Sequence, residues 1–583
     1  MKRWIEKQAD ASAVAGLISI GVQPLIARLL AQRGITADSA ADYFAPDFHK
    51  LADPFSLPGI DDAVETIVAS LQAKERIVVF GDYDCDGVCA TAILTQVLRR
   101  LCDSKRIVPF LPNRLTEGYG MTDASLARMF EEVPDAKLVI TVDNGINSVK
   151  QVRELHSRGV KVVVTDHHLR GEELPEADAL VNPRVAAPEA LADLCGAAVA
   201  YFLASALVDR VRTLTGRSDI AHGISGVLFT LAGLATVTDI MPLTPQNRIL
   251  VAESLRHFAR WAPVGLRELH ARAARTGAET MTSRDFGFIL GPRINAVGRL
   301  SSAMSALELV LCTEREREKA RQLALSVDLE NMRRRKIEQG MTDAALARIA
   351  DGVQSQVISF ASSEDSVHPG VAGIVASRVL ERLSNPVPVC VVVDGKGSAR
   401  APEGYNVRDA LAACSSSLNT FGGHAAAAGL AIKPGHTDAF RRDFAAACAA
   451  QAGSLAPDEL AAQRIDAWVS PKDLTVSFAE EIARMEPFGE GNEEPVFALS
   501  GAVFASGGLR PLGANGQHLH ITFRNPSIPR AIWWNHGEDI ERLRAFGSAP
   551  LDILFTLSLS DYGQRHVDLR VIDIRPSSRE QSA

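Results

Sequence analysis

Three aspartates spaced two apart, Asp82, Asp84 and Asp86, sit in the run RIVVFGDYDCDG between Arg76 and Gly87. Carboxylates this close repel one another, so the arrangement is costly unless a cation sits among them. The pattern D-x-D-x-D-G also begins an EF-hand loop. Here, however, the twelfth position from Asp82 is Ile93 instead of Glu, and a β-branched run rather than a helix leads in. A solvated acidic turn is the bland alternative. It loses ground as more acidic strand ends accumulate along the chain.

Such side chains need elements to deliver them. Ile77, Val78, Val79 and Phe80 form a short apolar run closed by Gly81, which reads as a buried strand, and CATAILTQVLRRL after it reads as a helix. The pattern recurs. KRIVPFLPNR ends at Asn113 and Arg114, KLVITVDNG carries Asp143, and VKVVVTDHH ends at Asp166, His167 and His168. Alternating strands and helices with continuous apolar strands predict an α/β fold with a doubly wound parallel sheet, whose ligands collect beyond the strands' carboxyl ends. Farther on, Asp239 interrupts LAGLATVTDIMPL; a lone Asp there is most often a cap or turn residue. Numerous carboxylates with imidazole and no thiolate suit Mg²⁺ or Mn²⁺, the imidazole favouring Mn²⁺. Enough carboxylates for two ions imply a two-metal centre that hydrolyses a phosphate ester or anhydride. Chemistry alone leaves pyrophosphate, a dinucleotide and a polynucleotide open.

The 583 residues predict several domains. Eight scattered cysteines without CxxC pairs fit a reducing cytosol and argue against zinc, and no apolar stretch is long enough to span a membrane. The N-terminus lacks the apolar core of a signal peptide, so a cytoplasmic location is expected. A net charge of −8 argues mildly against a protein that coats nucleic acid, yet allows a local basic groove.

Residues 1–55 read as an N-terminal extension without chemistry, 56–245 as the first α/β domain, and 246–345 as a helical region ending in a long linker helix. Within that region GPRINAVGRL (291–300) reads as a glycine-bounded loop, whose Arg293, Asn295 and Arg299 suit phosphate oxygens. The stretch 314–336 reads as a charged helix with eight basic and five acidic residues, and Arg333, Arg334, Arg335 and Lys336 at its end. Those four charges would either favour the helix dipole or meet a nucleic-acid backbone. Residues 346–455 read as a second α/β module containing GSAR (397–400) and FGGHAAAAGLAI (421–432), in which Gly422 and Gly423 let a ligand approach beside His424. Residues 461–577 alternate in short segments, the pattern of a small antiparallel barrel or sandwich, and 578–583 read as a disordered tail. Of Trp468, Phe488, Phe497, Phe523, Trp533 and Trp534, most should be core and the rest open to stacking on bases.

GDYDCDG, VDNG, TDHH and TVTDIMPL resemble the four acidic motifs of the DHH phosphoesterase superfamily, and GSAR and FGGHAAAAG resemble its DHHA1 substrate-binding domain. PNRLTEGYG, GPRINAVGRL, VHPGVAGIVASR and MEPFGEGNEEPVF narrow the resemblance to the RecJ family of bacterial single-strand-specific exonucleases. That resemblance implies a DHH catalytic domain, a DHHA1 domain and a C-terminal OB-like β-barrel. It implies Mn²⁺- or Mg²⁺-dependent 5′→3′ hydrolysis of single-stranded DNA to mononucleotides, with two ions, in recombination and repair. The partners it implies for a monomeric enzyme are a single-strand-binding protein and a RecQ-type helicase. Carried over by motif, Asp84, Asp86, Asp143, His167 and Asp239 are metal ligands. Asp82 compensates for a histidine that many superfamily members carry where this chain has Phe80. Asp143, His168 and Asp166 form the catalytic set, with His168 facing the scissile phosphate and Asp166 orienting its neighbours. Arg378, Ser398, Arg400, Gly423 and His424 would grip the nucleotide, and Arg114 the 5′ end. A small-substrate phosphodiesterase of the same superfamily would need only the first two modules. A non-catalytic scaffold would have no use for an intact acidic set.

Overall fold

The strands Arg76–Phe80, Ile107–Phe110, Ala136–Val142, Lys161–Thr165 and Ala179–Val181 are short apolar runs that pair in parallel. A strand buried on both faces must be apolar throughout, and period-two alternation shows how these are shared. Ile77 and Val79 enter a core with Val88, Ile93 and Leu203, whereas Val78 and Phe80 enter a second core with Met129 and Leu155. Helices therefore cover both faces. The strand order places the second strand at the edge, then the first, third, fourth and fifth. The connections diverge between the first and third strands, which is the switch point where such sheets bind ligands. The computed structural model describes residues 3–217, 219–220, 225–273, 281–364, 366–383, 386–452, 462–560 and 565–577, and the expected tail 578–583 lies outside these.

The helices Gly196–Thr215 and Ser225–Thr238 pack on the helix Cys85–Leu101. Residues 291–300 are an α-helix and not the expected loop; it follows directly on a π-helical turn, Asp285–Leu290. The glycines and proline that suggested a loop have tertiary reasons. Pro292 sits in the first turn, where its missing N–H costs nothing. A Cβ on Gly298 would lie 2.5 Å from the Tyr83 carbonyl oxygen, so glycine is what lets this helix touch the aspartate loop. The linker helix is Arg317–Leu346, 30 residues and about 45 Å long. Arg333–Lys336 consequently lie ten residues before its end, beyond the reach of the C-terminal dipole.

The second α/β sheet orders its strands Leu418–Gly423, Ala427–Ile432, Lys396–Arg400, Val389–Val393 and Gln356–Phe360; only the last pair is parallel. With the DHH-like sheet it belongs to one compact unit, Leu51–Leu460. The other unit joins residues 1–50 to 461–583. It contains a seven-stranded, mostly antiparallel sheet. Residues 1–50 are therefore not a separate extension. The strand Arg3–Glu6 pairs in parallel with Ala462–Ile465, and Leu17, Ile26, Leu29, Leu30 and Tyr43 share one core with Phe497, Leu519, Trp533 and Phe555. Phe497, Phe523 and Trp533 are buried, Trp468 and Phe488 are half-buried, and Trp534 is exposed. Among the described residues no helix is long and apolar enough to cross a membrane.

Candidate active site

Asp82, Asp84 and Asp86 leave the first strand, Asp143 the third, and Asp166, His167 and His168 the fourth, so the switch point gathers all of them. Asp84 caps the helix Cys85–Leu101, accepting from the Gly87 N–H at 3.0 Å. Asp86, in the first turn of that helix, is buried and receives the N–H groups of Gly196 and Ala197, each at 2.7 Å, from the start of the helix Gly196–Thr215. Asp143 stands at φ +60°. That left-handed backbone is one an aspartate tolerates better than most residues, and one often found at functional positions. Asp239 follows directly on the C-terminal end of the helix Ser225–Thr238, the end whose dipole disfavours a carboxylate. It is thus no N-cap, and its placement is explained by what it faces.

The imidazole of His167 sits among these groups. Its Nε2 lies 3.1 Å from Asp143 Oδ1, 3.5 Å from Asp239 Oδ2 and 3.6 Å from Asp86 Oδ2. Three sets of ligand atoms lie mutually within 4.8 Å: Asp82, Asp84 and Asp143; Asp86, His167 and Asp239; and Asp143, His167 and His168. Asp143 and His167 each belong to two sets. Both Asp82 oxygens, Asp143 Oδ1 and both His167 nitrogens are buried without a well-formed hydrogen bond, Asp143 Oδ1 and His167 Nε2 having only their mutual contact. Leaving such atoms unpaired is expensive, and a pair of oxygen-seeking cations fits the donor set. Burial, then Asp84, pushes the Asp82 carboxyl well above the usual range; burial, then Asp86, does the same to Asp143. Asp86 is pushed up to about 6 by burial and Asp84, and Asp239 to about 8 by burial and Asp86. Burial and His168 hold His167 down at about 3, leaving a neutral ring with a free lone pair.

Asp166 is turned to another task. It accepts from the N–H groups of Ile146, His167 and His168 at 2.9, 2.7 and 3.1 Å, and from His168 Nδ1 at 2.8 Å. Burial would raise its carboxyl, but the His168 bond and charge, the Ile146 N–H and the nearby His167 together outweigh it, and the group sits below the ordinary range. Burial would likewise lower His168, yet Asp166 holds it up at about 9. The other His168 nitrogen meets the Tyr119 hydroxyl at 2.9 Å. Tyr119 was not singled out by sequence reasoning, although it stands in PNRLTEGYG beside Arg114.

A cluster of guanidinium groups faces the carboxylates. Arg114 lies over the Tyr83 ring, 5.1 Å from its centre. Burial and Arg114 push Arg299 down to about 10, and they also lower Arg400. Arg334 is lowered by burial, with Arg335, Arg378 and Arg293 adding to the effect against Glu338. Arg334 already pairs with Glu338 at 2.6 Å, whereas Arg114, Arg299 and Arg400 have no ion pair among the described residues and are suited to an anion. Arg400 donates to Ser398 Oγ at 2.7 Å, which orients both. The remaining expected contacts are engaged within the protein. Arg293 pairs with Asp328 at 2.9 Å, Asn295 Oδ1 accepts from the Cys85 N–H at 2.7 Å, and Arg378 lies 3.2 Å from Glu338. Gly423 and His424 stand at an exposed strand end.

Comparison with known proteins identifies the same three modules. The model of the DHH family N-terminal domain matches residues 76–227, the DHHA1 domain 339–450 and the RecJ OB domain 465–573. The single-stranded-DNA-specific exonuclease RecJ of Bacillus subtilis is 31% identical over 572 residues, covering 97% of this chain and 69% of that protein. The chain belongs to the RecJ family. RecJ of Escherichia coli is 33% identical over 560 residues, covering 92% of this chain and 93% of that protein. The crystal structure of Thermus thermophilus RecJ in complex with Mn²⁺ superposes with a TM-score of 0.82 at 29% identity, covering 99% of this chain and 80% of that one. The RecJ fold thus accounts for all three modules seen here, including the seven-stranded sheet.

Proposed function

We propose that the chain is a single-stranded-DNA-specific exonuclease that works 5′→3′, releases 5′-mononucleotides and uses two divalent ions, Mn²⁺ or Mg²⁺. The observation that carries this is the set of buried ligand atoms on Asp82, Asp143 and His167, at the sheet's switch point, that no well-formed hydrogen bond satisfies. Asp82, Asp84 and Asp143 would hold one ion, Asp86, His167 and Asp239 the other, with Asp143 and His167 shared between neighbouring sets. Bound there, such ions supply Lewis-acid polarisation of a phosphate and acidification of water. The chain supplies the rest. Asp166 keeps His168 charged, the His168 Nε2–H donates to the Tyr119 oxygen, and the Tyr119 O–H is thereby left to donate to a phosphate oxygen. Arg114, Arg299 and Arg400, with Ser398, take the terminal phosphate and fix how far the strand enters. A strand end docked on these groups is cut one nucleotide at a time. In the cell a monomer in the cytoplasm would receive its strand from a RecQ-type helicase and a single-strand-binding protein, in recombination and repair.

End-labelled single-stranded DNA blocked at its 5′ or its 3′ end, incubated with Mn²⁺, tests substrate and polarity together. Only the 5′ block should protect. Asp143→Ala should abolish hydrolysis in a protein that stays folded. Degradation of the 5′-blocked strand, or undiminished metal-dependent cleavage by the variant, would sink the reading.

A further inference from the structure

A helix end and a π-helical turn meet beside Asp239, at the rim of the carboxylate cluster. Ile240, directly after Asp239, has φ +56° because the helix Ser225–Thr238 stops there. The Ile240 N–H donates to the Val237 carbonyl and the Met241 N–H to the Thr236 carbonyl, a left-handed C-cap filled here by a β-branched residue instead of the usual glycine. Ile240 leaves 70% of its surface in solvent. The π-helical turn Asp285–Leu290 is of a kind that is rare and concentrated at functional sites, and its Phe288 is also 70% exposed. A Cβ on Gly287 would lie 3.4 Å from Val237, and one on Gly291 2.3 Å from Thr238. The turn is therefore packed against the last residues of the helix that delivers Asp239 and Ile240. Arg284 stands 5.2 Å from the centre of the Phe288 ring. Two large apolar side chains are thus left in solvent on two segments packed together next to Asp239, a placement that core packing does not account for.

We propose that Phe288 and Ile240 form a nucleobase subsite: a base of the single strand lies on the Phe288 ring with Ile240 at its edge, and Arg284 meets a neighbouring phosphate. This rests on the single-strand reading above and names how the strand is held beside the cut. Stacking is indifferent to base identity, which suits an enzyme that must pass every sequence. The test uses 3′-labelled oligonucleotides carrying one abasic residue at successive positions from the 5′ end, with binding read by fluorescence anisotropy in Mn²⁺. Hydrolysis is silenced by an Asp143→Ala background. In that background an abasic residue at one position should weaken binding by about tenfold, the scale of a lost base–aromatic stack. Adding Phe288→Ala should weaken intact DNA by a similar factor and erase the sensitivity to that abasic position, whereas Phe288→Trp should preserve both. Because Phe288 is exposed, its truncation leaves the fold unstressed. Equal binding of intact DNA by the Phe288→Ala protein, or an unchanged abasic profile, would overturn the subsite while leaving the single-strand reading standing. Failure of every protein to bind any single strand would overturn both.

Discussion

Replacing Gly196 by alanine tests whether the two carboxylate sets are registered by a single close contact. The N–H of Gly196 holds Asp86 Oδ2 at 2.7 Å, while its Cα abuts Asp143. A Cβ there would lie 2.5 Å from Asp143 Cβ and 2.8 Å from Asp143 Oδ1. Ordinary carbon contacts begin near ~3.5 Å, so Asp143 or the helix start must retreat by about 1 Å. Either movement separates Asp86 from Asp143. A displacement of about 1 Å in such a constellation costs on the order of 100-fold in rate. Overpacking should lower stability by only about 1–3 kcal/mol. The assay is Mn²⁺ affinity from the free-ion electron paramagnetic resonance signal, beside the exonuclease rate at saturating Mn²⁺ and a denaturant melt. Ala197→Gly adds no atom, keeps its N–H and serves as the control. A folded Gly196→Ala protein whose Mn²⁺ affinity and rate stay within about twofold of the parent would refute the reasoning.

Two further predictions concern protons and packing. With Asp239 held up at about 8 and Asp86 at about 6, the metal-free site at pH 7 carries a proton that a cation must displace. Mn²⁺ binding should therefore release at least about one proton at pH 7 and weaken as pH falls through 8 and again through 6. Calorimetry in two buffers of different ionisation enthalpy measures this, and binding without proton release would contradict it. Leu29 is fully buried in the core shared by residues 1–50 and the C-terminal sheet, so Leu29→Ala should cost that unit about 3 kcal/mol. Tryptophan fluorescence during denaturant unfolding reports the loss, and Mn²⁺ binding should be unchanged.

The catalytic sheet was legible because its strands are local apolar runs and its ligands sit at their ends, where loops must carry whatever polarity the sequence has. The same locality explains the failures. Gly298 and Pro292 look like loop residues until Tyr83 is seen to press against the helix, a contact made across more than 200 positions of chain. Asn295 and Arg293 read as phosphate donors because nothing local reveals that Cys85 and Asp328 already hold them. Arg334 is half-buried against Asn331 and Glu338 while its neighbours Arg333 and Arg335 face solvent, a difference of one step around the helix. Residues 1–50 gave no hint of their role because their partners begin beyond residue 460. Tyr119 carried a signal only through its motif.

That last long-range pairing has a consequence for the order of events on the ribosome. The helices around Leu17, Ile26 and Leu30 emerge long before the sheet that covers them, which is encoded after residues 51–460. At about 5–20 residues per second the nascent helices wait roughly 20–80 s with their apolar faces unclaimed. Meanwhile the whole metal-binding unit can complete its own fold. Synthesis that stops early thus leaves a finished catalytic unit attached to a sticky, unmatched leader, and chaperones or proteases can recognise that leader as the mark of an incomplete chain.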